Sequence, residues 1–115
     1  MKKLAIVLMY DVNISELRVE MSMRFALRAS EDPRFDVRFF FWADGVKVPR
    51  QIENIPHLKD LFYKLLEKGV TTMACINNST KLGEKDYNEQ KGINVLAVGP
   101  ELLELIDQGA EVITF

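Results

Sequence analysis

The sequence predicts an α/β protein, a three-layer α/β/α sandwich built on a mostly parallel five-stranded sheet. Three observations predict it. Short runs of branched and aromatic residues alternate with segments of helical period, as parallel strands joined by helical crossovers require. The first run, Leu4 to Met9, is apolar throughout, the pattern of a strand covered on both faces. The 115 residues, 48% apolar and 28% charged, suit one domain over residues 1–115 with a hydrophobic core.

After the first strand, a helix is expected from Asn13 to about Ala29, with Asn13 and Glu16 spaced like a capping box. Ile14, Leu17, Met21 and Phe25 share one face of it, and Val19, Met23 and Ala26 form a second apolar strip. Two apolar faces mean either a helix deep in the domain or one covered by a neighbouring subunit. Phe35 to Trp42 reads as the second strand and holds the aromatic run Phe39-Phe40-Phe41-Trp42. Leu58, Leu61, Phe62, Leu65 and Leu66 follow helical spacing, and Gly69 stops that helix. Val70 to Ile76 and Ile93 to Val98 are the third and fourth strands. A short helix near Pro100 to Gln108 and a last strand, Glu111 to Phe115, complete the chain.

In such a fold the carboxyl ends of the parallel strands share one rim, where ligands bind. The segments leaving that rim are Tyr10 to Asn13, Ala43 to Pro56, Asn77 to Gly92 and Gly99-Pro100. Two of them read as long loops, which in small domains are more often functional than idle. Cys75, the one cysteine, sits near the end of the third strand, close to this rim. Backbone N–H groups of a turn or helix start favour the thiolate form of a cysteine placed beside them. A lone cysteine in an apolar strand is more often a small core residue, and position alone favours that role. Asp11, Asn13, Asp44, Asn77, Asn78 and Ser79 are the candidate ligand-binding residues of the rim. Simpler roles compete: Asp11, Asn13 and Ser15 as helix caps, and Asp44-Gly45 as a turn.

Several classes are disfavoured. A net charge of −2 without a basic stripe gives no reason to expect direct nucleic-acid binding. The apolar run at the start is too short for a membrane span or a signal peptide, so no membrane association is expected. One His and one Cys make a metal centre improbable. No Gly-rich phosphate loop follows the first strand, so no nucleotide or flavin cofactor is expected. One cysteine permits no internal disulfide, which fits the reducing cytoplasm.

Four segments, in order, resemble the DsrE/DsrF-like family. Lys3 to Leu8 (KLAIVL) is similar to its opening strand, and Phe39 to Val46 (FFFWADGV) to its aromatic strand with an acidic-Gly-Val turn. Gly69 to Gly83 (GVTTMACINNSTKLG) has the Gly-Val start, the strand, the cysteine and a glycine eight positions on. Glu111 to Phe115 (EVITF) resembles its ending. The resemblance spans essentially the whole chain. It implies a homo-oligomer, trimer or hexamer, and a sulfur carrier in which Cys75 accepts sulfane sulfur from a protein donor as a persulfide and hands it to a protein acceptor. The sequence departs from the pattern after the cysteine: Ile76-Asn77-Asn78-Ser79 stands where relay members carry a small, Ala-rich stretch. The competing expectation is a non-catalytic homo-oligomeric module whose rim holds a small ligand or a partner chain.

Overall fold

The computed structural model describes residues 1–115 and contains five parallel strands in the order β4-β3-β2-β1-β5. β1 is Lys2–Leu8, β2 Phe35–Phe41, β3 Thr71–Cys75, β4 Asn94–Leu96 and β5 Glu111–Thr114. The helices are α1 (Val12–Ser30), α2 (Val48–Gln51), α3 (Pro56–Glu67), α4 (Ile76–Lys81), α5 (Lys85–Gln90) and α6 (Val98–Asp107). The all-parallel sheet with helices on both sides is the α/β sandwich read from the sequence. None of the helices is long and apolar enough to cross a membrane.

Sequence pattern explains the centre of the sheet. β1 and β2 pair along their full lengths, from Lys2 opposite Phe35 to Leu8 opposite Phe41. Leu4 to Leu8 and Phe39 to Phe41 are all buried. Alternation sends Phe39 and Phe41 to the α3 face, where Phe41 meets Phe62 edge-on at 6.0 Å between ring centroids. Phe40 goes to the other face. α3 ends where Gly69 takes φ 77, with the Val70 N–H donating to the Leu65 carbonyl at 3.1 Å, the device that closes many helices.

Topology follows from the strand order. The chain steps from β1 through β2 and β3 to β4 in one direction, then returns across the sheet to β5 beyond β1. Right-handed crossovers therefore put α1, α3, α4 and α5 on one face and α6 on the other. α1 indeed packs on α3, and α6 on β1 and β3. β3 and β4 are thus neighbours whose outgoing segments leave to opposite faces.

Three expectations about local structure are sharpened or corrected. The helix start lies at Asp11 and not at Asn13: Asp11 accepts the Ile14 N–H at 3.1 Å. Ser15 then breaks the helical angles (φ −161, ψ 99), and its hydroxyl oxygen accepts the Arg18 N–H at 3.1 Å, recapping the rest of α1. Secondly, Ile14, Leu17, Met21 and Phe25 face solvent, whereas Val19, Met23 and Ala26 are the core strip. Ser22 and Ala29 complete the buried strip. Thirdly, the two long loops are mostly helical. Pro49 and Pro56 sit in the first turns of α2 and α3, where proline lacks only an N–H that has no helical partner anyway. Asn77 to Gly92 contains most of α4 and all of α5.

Candidate functional site

The carboxyl rim divides into two parts. Over β1 and β2 it is a closed polar network. Asp11 is 1% exposed; its carboxylate accepts hydrogen bonds from the Ile14 N–H and, at 2.8 Å, from Gln51 Nε2. Lys47 Nζ stands 3.1 Å from Asp11 and 3.3 Å from Asp44, joining the two acids. Gln51 Oε1 accepts the Val12 N–H at 3.0 Å. Burial works to raise the pKa of Asp11, but hydrogen bonds from Gln51, Lys47 and Ile14 outweigh it and hold the carboxyl below its ordinary range. The carboxylate is therefore ionised and fully occupied.

Gly45 shows how tightly this part is closed. A Cβ there would lie 2.0 Å from the Leu8 carbonyl oxygen, which also accepts the Trp42 N–H at 3.0 Å. Asp44-Gly45 therefore forms a turn pressed against the end of β1. Just before it, Ala43 takes the left-handed angle φ 52, and Asn78 Oδ1 accepts the Ala43 N–H at 2.9 Å.

Over β3 and β4 the rim is different. Cys75 is the last residue of β3, opposite Leu96 in the register, and it is 5% exposed. Strand alternation gives it the orientation of Met73, toward the α6 face. It occupies the N-cap position of α4, and its thiol makes no capping hydrogen bond. Ala97, beside it at the end of β4, occupies the N-cap of α6 and has no side chain able to cap. The first N–H groups of both helices meet this rim without side-chain partners. Asn77 is exposed and makes no side-chain hydrogen bond within the protein. No cluster of three or more His, Cys, Asp or Glu side chains suited to a metal ion is present.

The candidate residues thus fall into groups. Asp11 and Asp44 come together through Lys47. Asn78 braces the turn at Ala43. Ser79 is fully buried beneath Asn88, whose Nδ2 lies 3.4 Å from its hydroxyl and 3.1 Å from the Val46 carbonyl. Asn13 is exposed on the first turn of α1, on the outer side. Only Cys75 and Asn77 retain unused polar capacity at the β3–β4 rim. Sequence reasoning missed Lys47, Gln51 and Asn88, because they sit in segments read as loops; Pro49 in the first turn of α2 was the available signal for the first two, and Asn88 had none. It also missed Arg50 and Glu84, whose guanidinium Nε stands 3.1 and 2.8 Å from the two carboxylate oxygens and ties α2 to the start of α5.

Comparison with known proteins agrees with this architecture. A family model described as the DsrE/DsrF-like family matches residues 2–115. A solved structure described as a conserved protein of unknown function, BT1422 from Bacteroides thetaiotaomicron, superposes with a TM-score of 0.79. It is 21% identical, and the match covers 99% of this chain and 95% of that one, a likeness of fold. No curated protein matches.

Proposed function

This chain belongs to the DsrE/DsrF-like family, a family associated with sulfur relay, and we propose that it carries sulfane sulfur as a persulfide on Cys75. One observation carries the reading: the only cysteine stands at the carboxyl end of β3, where the segments leaving β3 and β4 part to opposite faces. A crevice at such a reversal is where open α/β sheets bind ligands.

The Cys75 thiolate attacks the outer sulfur of a donor persulfide, R–S–SH. The donor S–S bond breaks, R–S⁻ leaves, and Cys75–S–SH forms. An acceptor thiolate then attacks the outer sulfur, and Cys75 leaves as thiolate. No electrons enter or leave either exchange. With no second cysteine in the chain, handover takes place between molecules. Backbone N–H groups at the starts of α4 and α6 stabilise anionic sulfur in both steps, and Asn77 offers the exposed side chain nearest in sequence. Because Cys75 is 5% exposed, the donor reaches it through local opening of this rim.

Intact mass after incubation with a persulfide donor tests the reading. The expected result is a gain of one sulfur atom, removed by reductant and absent in Cys75→Ser. An unchanged wild-type mass overturns it. A second reading, a binding module without thiol chemistry, is supported by the burial of Cys75 within the hydrophobic core. It expects Cys75→Ser to leave ligand or partner binding intact and wild type to gain no sulfur.

A further inference from the structure

Topology leaves one strand of the sheet uncovered on one side. α1 packs on β1, β2 and α3, and the later helices of that face follow the chain toward β4. β5 lies beyond β1, so its side of that face has no helix over it. Pairing of Leu4 with Glu111 and of Ile6 with Ile113 turns Glu111 and Ile113 to the same face as Leu4. The result is an open trough of about 360 Å³ between α1 and β5, lined by Leu4, Phe25, Ala29, Phe35 and Ile113. Phe115 backs the Phe25 wall at 6.0 Å between ring centroids. Arg28, Asp32 and Glu111 complete the lining. Each carboxylate already has a cation: Arg34 Nη2 stands 2.7 Å from Asp32, and Lys2 Nζ 3.2 Å from Glu111. Arg34 is the main partner of Asp32, and Arg28 acts on it only weakly. Arg28 is exposed and makes neither an ion pair nor a side-chain hydrogen bond. Three cations against two carboxylates leave a surplus of one positive charge at an apolar trough.

We infer that this trough binds a small monoanionic carboxylate with an apolar body, its hydrocarbon part along Phe25 and Ile113 and its carboxylate on the Arg28 guanidinium. Small-molecule sites are concave and mostly apolar, about 300–1,000 Å³ in volume, with a few polar groups that orient the ligand. A planar guanidinium takes a carboxylate through two parallel hydrogen bonds, which suits Arg28 to that head group. A surplus of one charge matches a monoanion; a dianionic phosphate would be repelled by Asp32 and Glu111. Volume sets the size: at ~30 Å³ for each atom of the size of water, the trough holds about a dozen heavy atoms. Decanoate and phenylbutyrate are carboxylates of that size, one with a flexible chain and one with a ring. The site lies on α1 and β5, away from Cys75 on β3, and does not depend on the reading of that residue.

The test is titration of the isotope-labelled whole chain with decanoate and with phenylbutyrate, followed by amide NMR shifts. Saturable shifts are expected around Phe25, Arg28, Ala29 and Ile113 for at least one of the two, and the tighter binder tells a chain from a ring. In wild type, phenylbutyrate is expected to bind about 10-fold more tightly than neutral phenylbutanol, the worth of one charge-assisted hydrogen bond. Arg28→Gln is expected to abolish that preference and still bind the alcohol. Phe25→Ala, at a position 40% exposed, is expected to weaken acid and alcohol alike. Circular dichroism confirms that each variant is folded. No saturable shift with either carboxylate, shifts centred elsewhere, an Arg28→Gln variant that keeps the preference, or a Phe25→Ala variant that binds as wild type does would each overturn the proposal. A second copy of the chain seated over the trough would exclude both carboxylates and give the first of those results.

Discussion

The two halves of the carboxyl rim are built from the same kinds of residue and treat them in opposite ways. Over β1 and β2, Asp11, Asp44, Lys47 and Gln51 answer one another, and the start of α1 is capped twice, by Asp11 and by Ser15. Over β3 and β4, α4 and α6 begin without side-chain caps, the Cys75 thiol caps nothing, and Asn77 is free. Polar groups that bond each other fix a backbone; groups left without partners are available to a reactant. The first half is closed on itself; the second holds the buried Cys75 thiol and the exposed Asn77 side chain without such partners.

Substitutions can break or sharpen that contrast. The largest effect is expected at Gly45, where any Cβ meets the Leu8 carbonyl backbone at 2.0 Å. Gly45→Ala should cost about 3 kcal/mol in urea unfolding, at the upper end for overpacking. A loss well under about 1 kcal/mol would show that the turn slides away from β1 freely.

Asp11→Ala removes a cap and leaves Lys47 and Gln51 short of a partner, for about 2 kcal/mol. Asp11→Asn keeps the cap and removes the charge, which makes it the cleaner probe of pH. The folded carboxyl titrates below its ordinary 3.8, so its contribution is fully present above that value and is lost as pH falls through the folded value. The stability gap between wild type and Asp11→Asn should therefore hold at neutral pH and close in acid below 3.8. A gap independent of pH would mean that the charge of Asp11 adds nothing.

Asn78→Ala should cost about 1 kcal/mol, since it leaves the Ala43 N–H without its acceptor. The smallest effect is expected at Ala43 itself. Its φ of 52 suits glycine better, so Ala43→Gly should stabilise by about 0.5 kcal/mol. Destabilisation there would mean that the methyl group contributes packing worth more than the strain.

The same contrast marks what the sequence made legible. The strands β1 and β2 announce themselves because both faces are buried and their residues are apolar in unbroken runs. Gly69 was readable as a helix end because only a residue tolerant of positive φ serves there. α1 was harder: both of its apolar strips satisfy helical period, and nothing in the pattern says which one the sheet takes. The sheet takes Val19, Met23 and Ala26, leaving Leu17, Met21 and Phe25 outside. The segments after β2 and β3 read as loops because turns of four to six residues are too short to show a period. Cys75 was legible both as a rim residue and as a small core residue, and it is buried at 5% exposure at the end of β3. Lys47 and Gln51 reach Asp11 across 36 and 40 positions of sequence, a pairing that local pattern does not encode.

The central claim is that the β3–β4 half of the rim opens to a reactant while the rest of the fold stays closed. The most direct measurement is the rate at which a thiol alkylating reagent modifies Cys75 in the folded protein across low, sub-denaturing urea concentrations. Local opening exposes little new surface, so the account predicts modification far faster than global unfolding allows, at a rate nearly independent of urea. Modification that occurs only as fast as the whole chain unfolds, and accelerates with urea along the global transition, would contradict it and make Cys75 a core residue.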